Sequence, residues 1–458
     1  MGNSKKIVRP LVFLHVLAIS TCLAKNITIV GTGYVGLITG VGLAQVGNEV
    51  TCFDIDETKI KKLQKNIVPI FEPDIAQALL DNHKNLSFTS DCQEAIDSAD
   101  VIMIAVGTPM SKKGKAYLRA LKSVITSIAK CSTKNKIVCI KSTVPPGTND
   151  AMQELLNERA APGVSFTIVS NPEFLREGSA LQDFFECNPI VLGSHSQEAL
   201  EIMQEVYKPL VENGTPLITT NPVTAETIKY AWNAFSATRI TFVNELAHFC
   251  DAMGADIHDV VEGMSYSTKL LPTKMLRPGP GIGGSCLPKD TNALVKITDA
   301  HDVDLSIVKA VIEANKNLKL KVIEKLYGLL NNDVKNKTVA VLGLSFKANT
   351  DDIRYSPAIV ALQKFIKDGA VVKAYDPQAM HNMQTLIPEV TYAASWQHAV
   401  EHADAVLILT EWQEFKDIDL LEMKKIMKQP IIMDARNIFA PDVLHRLGFS
   451  YANLGRKI

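Results

Sequence analysis

The chain has no excess charge of either sign: 48 lysines and arginines stand against 49 acidic residues in 458. Such a balance excludes a protein whose main business is coating nucleic acid or a membrane surface, since both call for a strongly basic face. Paired cysteines of the C-x-x-C kind are also missing. The eight cysteines, at 22, 52, 92, 131, 139, 187, 250 and 286, keep no regular spacing, which excludes a disulfide scaffold and a zinc site, so no metal is expected. Several lie in apolar runs such as Val138-Cys139-Ile140, as free thiols do in a reducing compartment, and a cytoplasmic protein is expected. No run is long enough to span a bilayer comfortably. The longest, Leu11 to Ala24 behind Lys5, Lys6 and Arg9, has the parts of a signal peptide. Residues 1–24 are read as an extension outside the fold. The length itself predicts two or three domains.

What is present begins at Asn26, where short apolar runs alternate with amphipathic helices. Ile27-Thr28-Ile29-Val30 reads as a strand, a Gly-rich turn follows, and a helix runs to about Val46. Further strands are expected at Glu49–Asp54, Val101–Val106, Lys136–Lys141 and Phe166–Val169, the pattern of a doubly wound parallel sheet. From Asn221 to Met253 the pattern becomes one long helix. Its bulky residues (Ile228, Trp232, Phe235, Ile240, Phe242, Leu246 and Phe249) occupy more than one face, which predicts burial between domains or subunits. More helix follows Cys286 to about Leu330. A second strand–helix series then places strands at Thr338–Leu344, Val371–Tyr375, Ala405–Thr410 and Pro430–Asp434, with a helix at Pro357–Asp368.

Gly31-Thr32-Gly33-Tyr34-Val35-Gly36 is a G-x-G-x-x-G directly after a strand and opening a helix. The first glycine makes the tight turn, the second admits a pyrophosphate, and the third lets the helix pack on the sheet. Asp54 ends the next strand about twenty residues on, where a carboxylate binds a ribose diol and disfavours a 2′-phosphate, so NAD is the expected cofactor. Lys59 either supports the adenosine side or is a solvated charge. Thr108 and Thr143 follow later strands and belong either to the ligand crevice or to ordinary turns. The fold expected is α/β: two Rossmann-like doubly wound lobes joined by a central long-helix domain. The boundaries are 25–212 for the NAD-binding lobe, 213–330 for the centre and 331–458 for the second lobe.

Four further constellations carry chemistry. Asn171-Pro172-Glu173-Phe174-Leu175-Arg176-Glu177-Gly178 sets two carboxylates four apart, either a base beside the cofactor or an exposed turn. Lys229 and Asn233 share a helix face, either as oxyanion partners or with the lysine snorkelling to water. Gly283-Gly284-Ser285-Cys286-Leu287-Pro288-Lys289-Asp290 makes Pro288 the first residue of a helix and puts Cys286 at its positive end, where a thiolate is stabilised. The bland alternative is an inert buried cysteine. Lys347, Arg354 and Arg436, close to strand ends of the second lobe, offer cations to phosphates.

With these motifs in this order, from about Asn26 to the C-terminus, the chain resembles the nucleotide-sugar 6-dehydrogenases, the UDP-glucose/GDP-mannose dehydrogenase family. The resemblance implies NAD-dependent, four-electron oxidation of UDP-glucose to UDP-glucuronate by a homodimer, with no nucleic-acid or membrane partner. It makes Cys286 the nucleophile of a thiohemiacetal and thioester. Lys229 and Asn233 would stabilise the oxygen, while Glu173, Thr143 and Asp290 handle the proton and the water. Cofactor positions are Gly31, Gly33, Tyr34, Val35, Gly36, Asp54, Lys59, Thr108, Thr143, Glu177 and Arg354. Substrate positions are Glu173, Phe174, Leu175, Lys229, Asn233, Lys269, Gly283, Lys347 and Arg436. In the family an arginine stands sixteen positions before the cysteine, whereas here Lys269 stands seventeen before it. Leu276-Arg277-Pro278-Gly279 is also similar to the GDP-mannose enzymes, which keeps that substrate, or another nucleotide sugar, as the alternative. A protein that senses NAD or a nucleotide sugar without turnover would leave Cys286 dispensable.

Overall fold

The computed structural model describes residues 24–111, 113–186, 188–267 and 276–457. The extension expected over 1–24, apart from Ala24, and the substrate position Lys269 lie outside the described residues.

The first lobe is an eight-stranded sheet of β1 (Asn26–Val30), β2 (Glu49–Phe53), β3 (Leu86–Thr89), β4 (Val101–Ile104), β5 (Lys136–Ile140), β6 (Phe166–Ser170), β7 (Ile190–Gly193) and β8 (Leu217–Thr220). Their spatial order is β3-β2-β1-β4-β5-β6-β7-β8. All neighbours run parallel except β6 and β7, which meet antiparallel through Ser170 and Gly193. Strands β4 and β5 bury every residue, as expected where helices cover both faces of a sheet. The second lobe orders six parallel strands as β11-β10-β9-β12-β13-β14. They are β9 (Thr338–Leu342), β10 (Val371–Tyr375), β11 (Thr391–Tyr392), β12 (Ala405–Ile408), β13 (Ile431–Asp434) and β14 (Ser450–Ala452). The last of these lies beyond Asp434, where the sequence reading ended its strands. It is three residues long with one buried, too short to leave a periodic trace.

The two lobes repeat one turn. Gly31 at φ +97° and Gly343 at φ +100° each end a first strand in the left-handed region. The amide of Gly31 donates to the carbonyl of Phe53 (2.8 Å) and that of Gly343 to the carbonyl of Tyr375 (2.9 Å), the last residue of the neighbouring strand. The following aspartates, Asp54 and Asp376, hold each turn from one position further on. In both sheets the strand order reverses beside this turn, the place where doubly wound folds bind ligands.

The long helix spans Pro222–Met253, opened by an Asn221 cap and Pro222 and closed by Gly254 in the left-handed conformation. Its buried face carries mainly small and polar residues: Ala225, Glu226, Lys229, Asn233, Ala237, Asn244 and Ala247. The bulky residues face outward, with Trp232 42%, Phe235 53%, Phe242 47% and Phe249 60% exposed. Small residues let the Leu287–Asp299 and Ser306–Leu329 helices pack against this face.

Candidate active site

Each glycine of the G-x-G-x-x-G has its own reason. A Cβ on Gly31 would lie 2.9 Å from the Ala105 carbonyl oxygen and one on Gly36 1.8 Å from that of Gly31, whereas one on Gly33 would meet nothing within 4 Å. The outer two therefore serve packing, and the middle one leaves open space at the start of the Tyr34–Gln45 helix, where amides and the helix dipole favour an anion. The Tyr34 hydroxyl does not face this space. It bonds to Glu72 and accepts from the Gly178 amide (3.0 Å). Val35 packs on the core of the lobe.

Asp54 turns inward. Its Oδ2 accepts from the Thr32 amide (2.9 Å), the Thr32 hydroxyl (2.8 Å) and Lys59 Nζ (2.8 Å), and Oδ1 accepts from the Asp56 amide (3.0 Å). Burial alone would raise this carboxyl, but Lys59 and the amides of Asp56 and Thr32 outweigh it and hold it below the usual range. Its charge secures the glycine turn. Beside it, Ile55 is 87% exposed, an apolar platform that the motif reading passed over.

The loops after β4 and β5 are tied together by the Thr108 hydroxyl, which donates to the Thr143 carbonyl (2.8 Å). A second tie was missed in the sequence. The buried Glu226 carboxylate accepts from the Gly147 amide (2.6 Å), the Asn149 amide (2.8 Å) and Asn149 Nδ2 (2.6 Å). It braces the Thr143 loop against the long helix, one turn before Lys229. Its helix face also carries Lys229, Asn233 and Asn244, so one more polar residue there gave no signal of its own.

The helix after the thiol starts at Leu287, with Cys286 as its cap residue and Pro288 second rather than first. Helix ends shift by a residue in this way when the cap itself carries helical angles. The paired glycines admit a side chain of the second lobe, because a Cβ on Gly283 would lie 2.7 Å from Phe346 Cβ and one on Gly284 3.0 Å from its ring. Lys229 is only 4% exposed and does not snorkel. Its Nζ lies 3.3 Å from Glu173 Oε1, over the Phe174 ring. Asn233 Nδ2 donates to Asp290 Oδ2 (2.6 Å), whose other oxygen takes Lys289 Nζ. Glu173 Oε2 also accepts the Leu175 amide (2.6 Å).

Cys286 is reached by solvent yet enclosed by these elements, as a group at the wall of a cleft is. Here the structure corrects the expectation of a stabilised thiolate. Burial raises the thiol, Glu173 and Asp290 add to the rise, and Lys229 and Ser285 offset it only in part. Alkylation of Cys286 by iodoacetamide is therefore expected to keep accelerating with pH above the ordinary thiol range near about 8.5. Glu173→Gln should shift that profile to lower pH. A plateau reached by neutral pH would refute the assignment.

The second lobe completes the cleft. The Glu177 carboxyl is pushed up to about 7, by burial first and then by Asp352. It accepts from the Thr350 hydroxyl (3.2 Å) and lies 3.6 Å from Arg354, while Arg354 forks onto Asp352. Lys347 sits over the Phe346 ring. Arg436 donates to the carbonyls of Phe346 and Leu409 (2.9 Å each) and pairs with Glu411 (3.1 Å). It also borders a cavity of about 720 Å³ shared with His258, Tyr266, Arg277 and Lys416.

A glycine-turn lobe and a second lobe of the same winding, with a cleft between them, define a two-lobed nucleotide-dependent dehydrogenase. Comparison with known proteins agrees. The NAD binding, central and UDP binding domains of the UDP-glucose/GDP-mannose dehydrogenase family match residues 25–211, 223–317 and 340–441. The chain belongs to the UDP-glucose/GDP-mannose dehydrogenase family. It is 42% identical over 94% of its length to the UDP-glucose 6-dehydrogenase TuaD of Bacillus subtilis, covering 93% of that protein. It is 43% identical to the UDP-glucose 6-dehydrogenase of Rhizobium meliloti, over 94% of this chain and 99% of that one. Among solved structures it is similar to a UDP-glucose dehydrogenase from Pyrobaculum islandicum, with a TM-score of 0.85 and 32% identity over 91% of this chain and 95% of that one.

Proposed function

We propose that this protein oxidises UDP-glucose to UDP-glucuronate with NAD, through a covalent intermediate on Cys286. One observation carries the mechanism: the thiol stands at the start of a helix beside two buried polar pairs, the Lys229–Glu173 ion pair and the Asn233–Asp290 hydrogen bond. The open space at Gly33 suits a pyrophosphate, with Asp54 and Ile55 on the adenosine side. When bound, NAD accepts a hydride in each of two oxidations, so each sugar uses two.

The residues divide the work by charge. An aldehyde is a poor donor until a thiolate adds to it, and the thiohemiacetal then oxidises to a thioester that water cleaves. The Cys286 proton has an acceptor in Glu173, freed as Lys229 swings to the developing alkoxide. Lys229 and Asn233 stabilise that oxygen, while Asp290 and Thr143 orient the water. Lys347 and Arg436 hold the diphosphate, with Lys269, the loop at Gly283 and the Phe174–Leu175 backbone around the sugar. Thr108, Glu177 and Arg354 close on the cofactor at the junction of the lobes.

UDP rather than GDP is favoured by the relatives named above and by the shape of the chain. A GDP-mannose dehydrogenase structure from Pseudomonas aeruginosa, at 29% identity, aligns with a TM-score of only 0.51. Limiting UDP-glucose should yield about two NADH per sugar, and GDP-mannose little. Turnover of GDP-mannose alone would reverse the substrate assignment and keep the chemistry.

The working form is a homodimer paired through the long helix. Trp232, Phe235, Arg239, Phe242, Leu246, Phe249 and Met253 recur at alternating steps of three and four, the seam spacing of paired helices, and five of the seven are exposed. Arg239 stacks over the Phe235 ring at 4.8 Å. Light scattering should report a dimer for the native chain and a monomer for Phe242→Glu with Phe249→Glu. A dimer that survives both changes would move the interface elsewhere. Among the described residues no helix is long and apolar enough to cross a membrane. Free thiols and an NAD requirement support a cytoplasmic setting for the enzyme.

A further inference from the structure

Two thiols that the chemistry above does not use meet on the first lobe. Cys92 opens the Cys92–Ser98 helix and Cys131 closes the Arg119–Cys131 helix. Their Sγ atoms lie 3.8 Å apart, and both residues are only partly buried. Closing a disulfide from there takes less than about 2 Å of movement, since the bond itself is near 2.05 Å. The two helices are already held in register. Gln93 Nε2 donates to the Cys131 carbonyl (2.8 Å), and Asp97 Oδ1 accepts from the Thr133 amide (3.1 Å) and hydroxyl (2.5 Å).

The pair lies on the segment that shapes the adenosine side. Cys92 follows Asp91, whose amide donates to the Thr89 hydroxyl (3.0 Å), and the Thr89 carbonyl accepts the Asp54 amide (3.3 Å). Drawing Cys92 toward Cys131 therefore pulls on the residues that align Asp54.

We propose that Cys92 and Cys131 form a reversible disulfide on exposure to a peroxide, and that closing it weakens dinucleotide binding. The chemistry balances. One thiolate attacks a peroxide oxygen, the O–O bond breaks, and a sulfenic acid and one water result. The second thiol displaces the sulfenic oxygen as a second water, forming the S–S bond, so two electrons pass from the two sulfurs to the peroxide. A dithiol reductant reverses it. Burial and the neighbouring Cys131 push the Cys92 thiol up to about 11, so the reaction quickens with pH. Were the two merely small apolar fillers, both would survive as separate thiols.

The effect on binding rests on the dinucleotide reading, and the test separates the two. Full-length Cys286→Ser protein, which spares the cleft thiol from oxidant, is treated with hydrogen peroxide, alkylated and mapped by mass spectrometry, with NADH titrated by fluorescence before and after. The expected results are a Cys92–Cys131 linked peptide, an NADH dissociation constant raised about threefold or more, and recovery with dithiothreitol. Cys131→Ser in the same background should show neither change. Peptides that remain unlinked would overturn the pair, and a linked pair with unchanged NADH affinity would overturn its effect on the cofactor. Failure to bind NADH before oxidation would count against the dinucleotide reading instead.

Discussion

Cys286→Ser is expected to stop formation of the sugar acid, lowering turnover of UDP-glucose by at least about a thousandfold, as loss of a covalent nucleophile does in other enzymes. Serine keeps the size and the helix cap but lacks a group that ionises in reach of Glu173. Because Lys229, Asn233 and the NAD lobe are untouched, the variant should still bind UDP-glucose and NADH by calorimetry. Those two readouts together distinguish a dehydrogenase from a sensor. Undiminished production of UDP-glucuronate would remove Cys286 from the mechanism, and loss of both binding and turnover would indicate misfolding and call for Cys286→Ala.

The largest effect on stability is expected at Asp376, which is completely buried. Its carboxylate accepts from the amides of Leu344 (2.7 Å), Ser345 (3.1 Å), Gln378 (2.9 Å) and Ala379 (2.9 Å), and from Trp412 Nε1 (3.2 Å). Asp376→Ala leaves these donors without an acceptor, at about 1–3 kcal/mol for each one that water cannot reach. A loss of about 4 kcal/mol or more is expected in the urea transition of the second lobe, followed by the fluorescence of Trp412. The first lobe's NADH binding should persist. A loss below about 1 kcal/mol would mean that the turn at Gly343 holds without its aspartate.

Much of the fold was legible because its determinants are local. The apolar run of β1, the glycine turn behind it and the bounds of the Pro222–Met253 helix follow from periodicity and capping, and the strand expected at Val371–Tyr375 matches β10 residue for residue. Strands β3, β7, β8, β11 and β14 were not read. They run from two to four residues; β8 shows water its two central residues, whereas β7, Ile190–Gly193, is an apolar, fully buried run that was there to be read. The candidate site was legible as a set of residues but not as a set of partners. The sequence placed Lys229 and Asn233 on one face, but it held no sign that Glu226 on the same face would brace the Thr143 loop. Helix position alone suggested a stabilised thiolate at Cys286; burial in the cleft reverses this, helped by Glu173 from a distant segment and Asp290 one turn along the same helix.

By itself, then, the sequence determined the alternation of strand and helix, the dinucleotide turn, and the thiol at a helix start, each set by neighbours a few residues apart. Only the tertiary structure decided which face of the long helix is covered, that Asp54 turns inward, and that Glu173 pairs with Lys229. It also decided that Glu177 meets Thr350 across 173 positions of chain. The physical reason is the range of the forces involved. Backbone hydrogen bonds and apolar periodicity act along the chain, whereas burial and charge pairing depend on groups that become neighbours only after the lobes have packed.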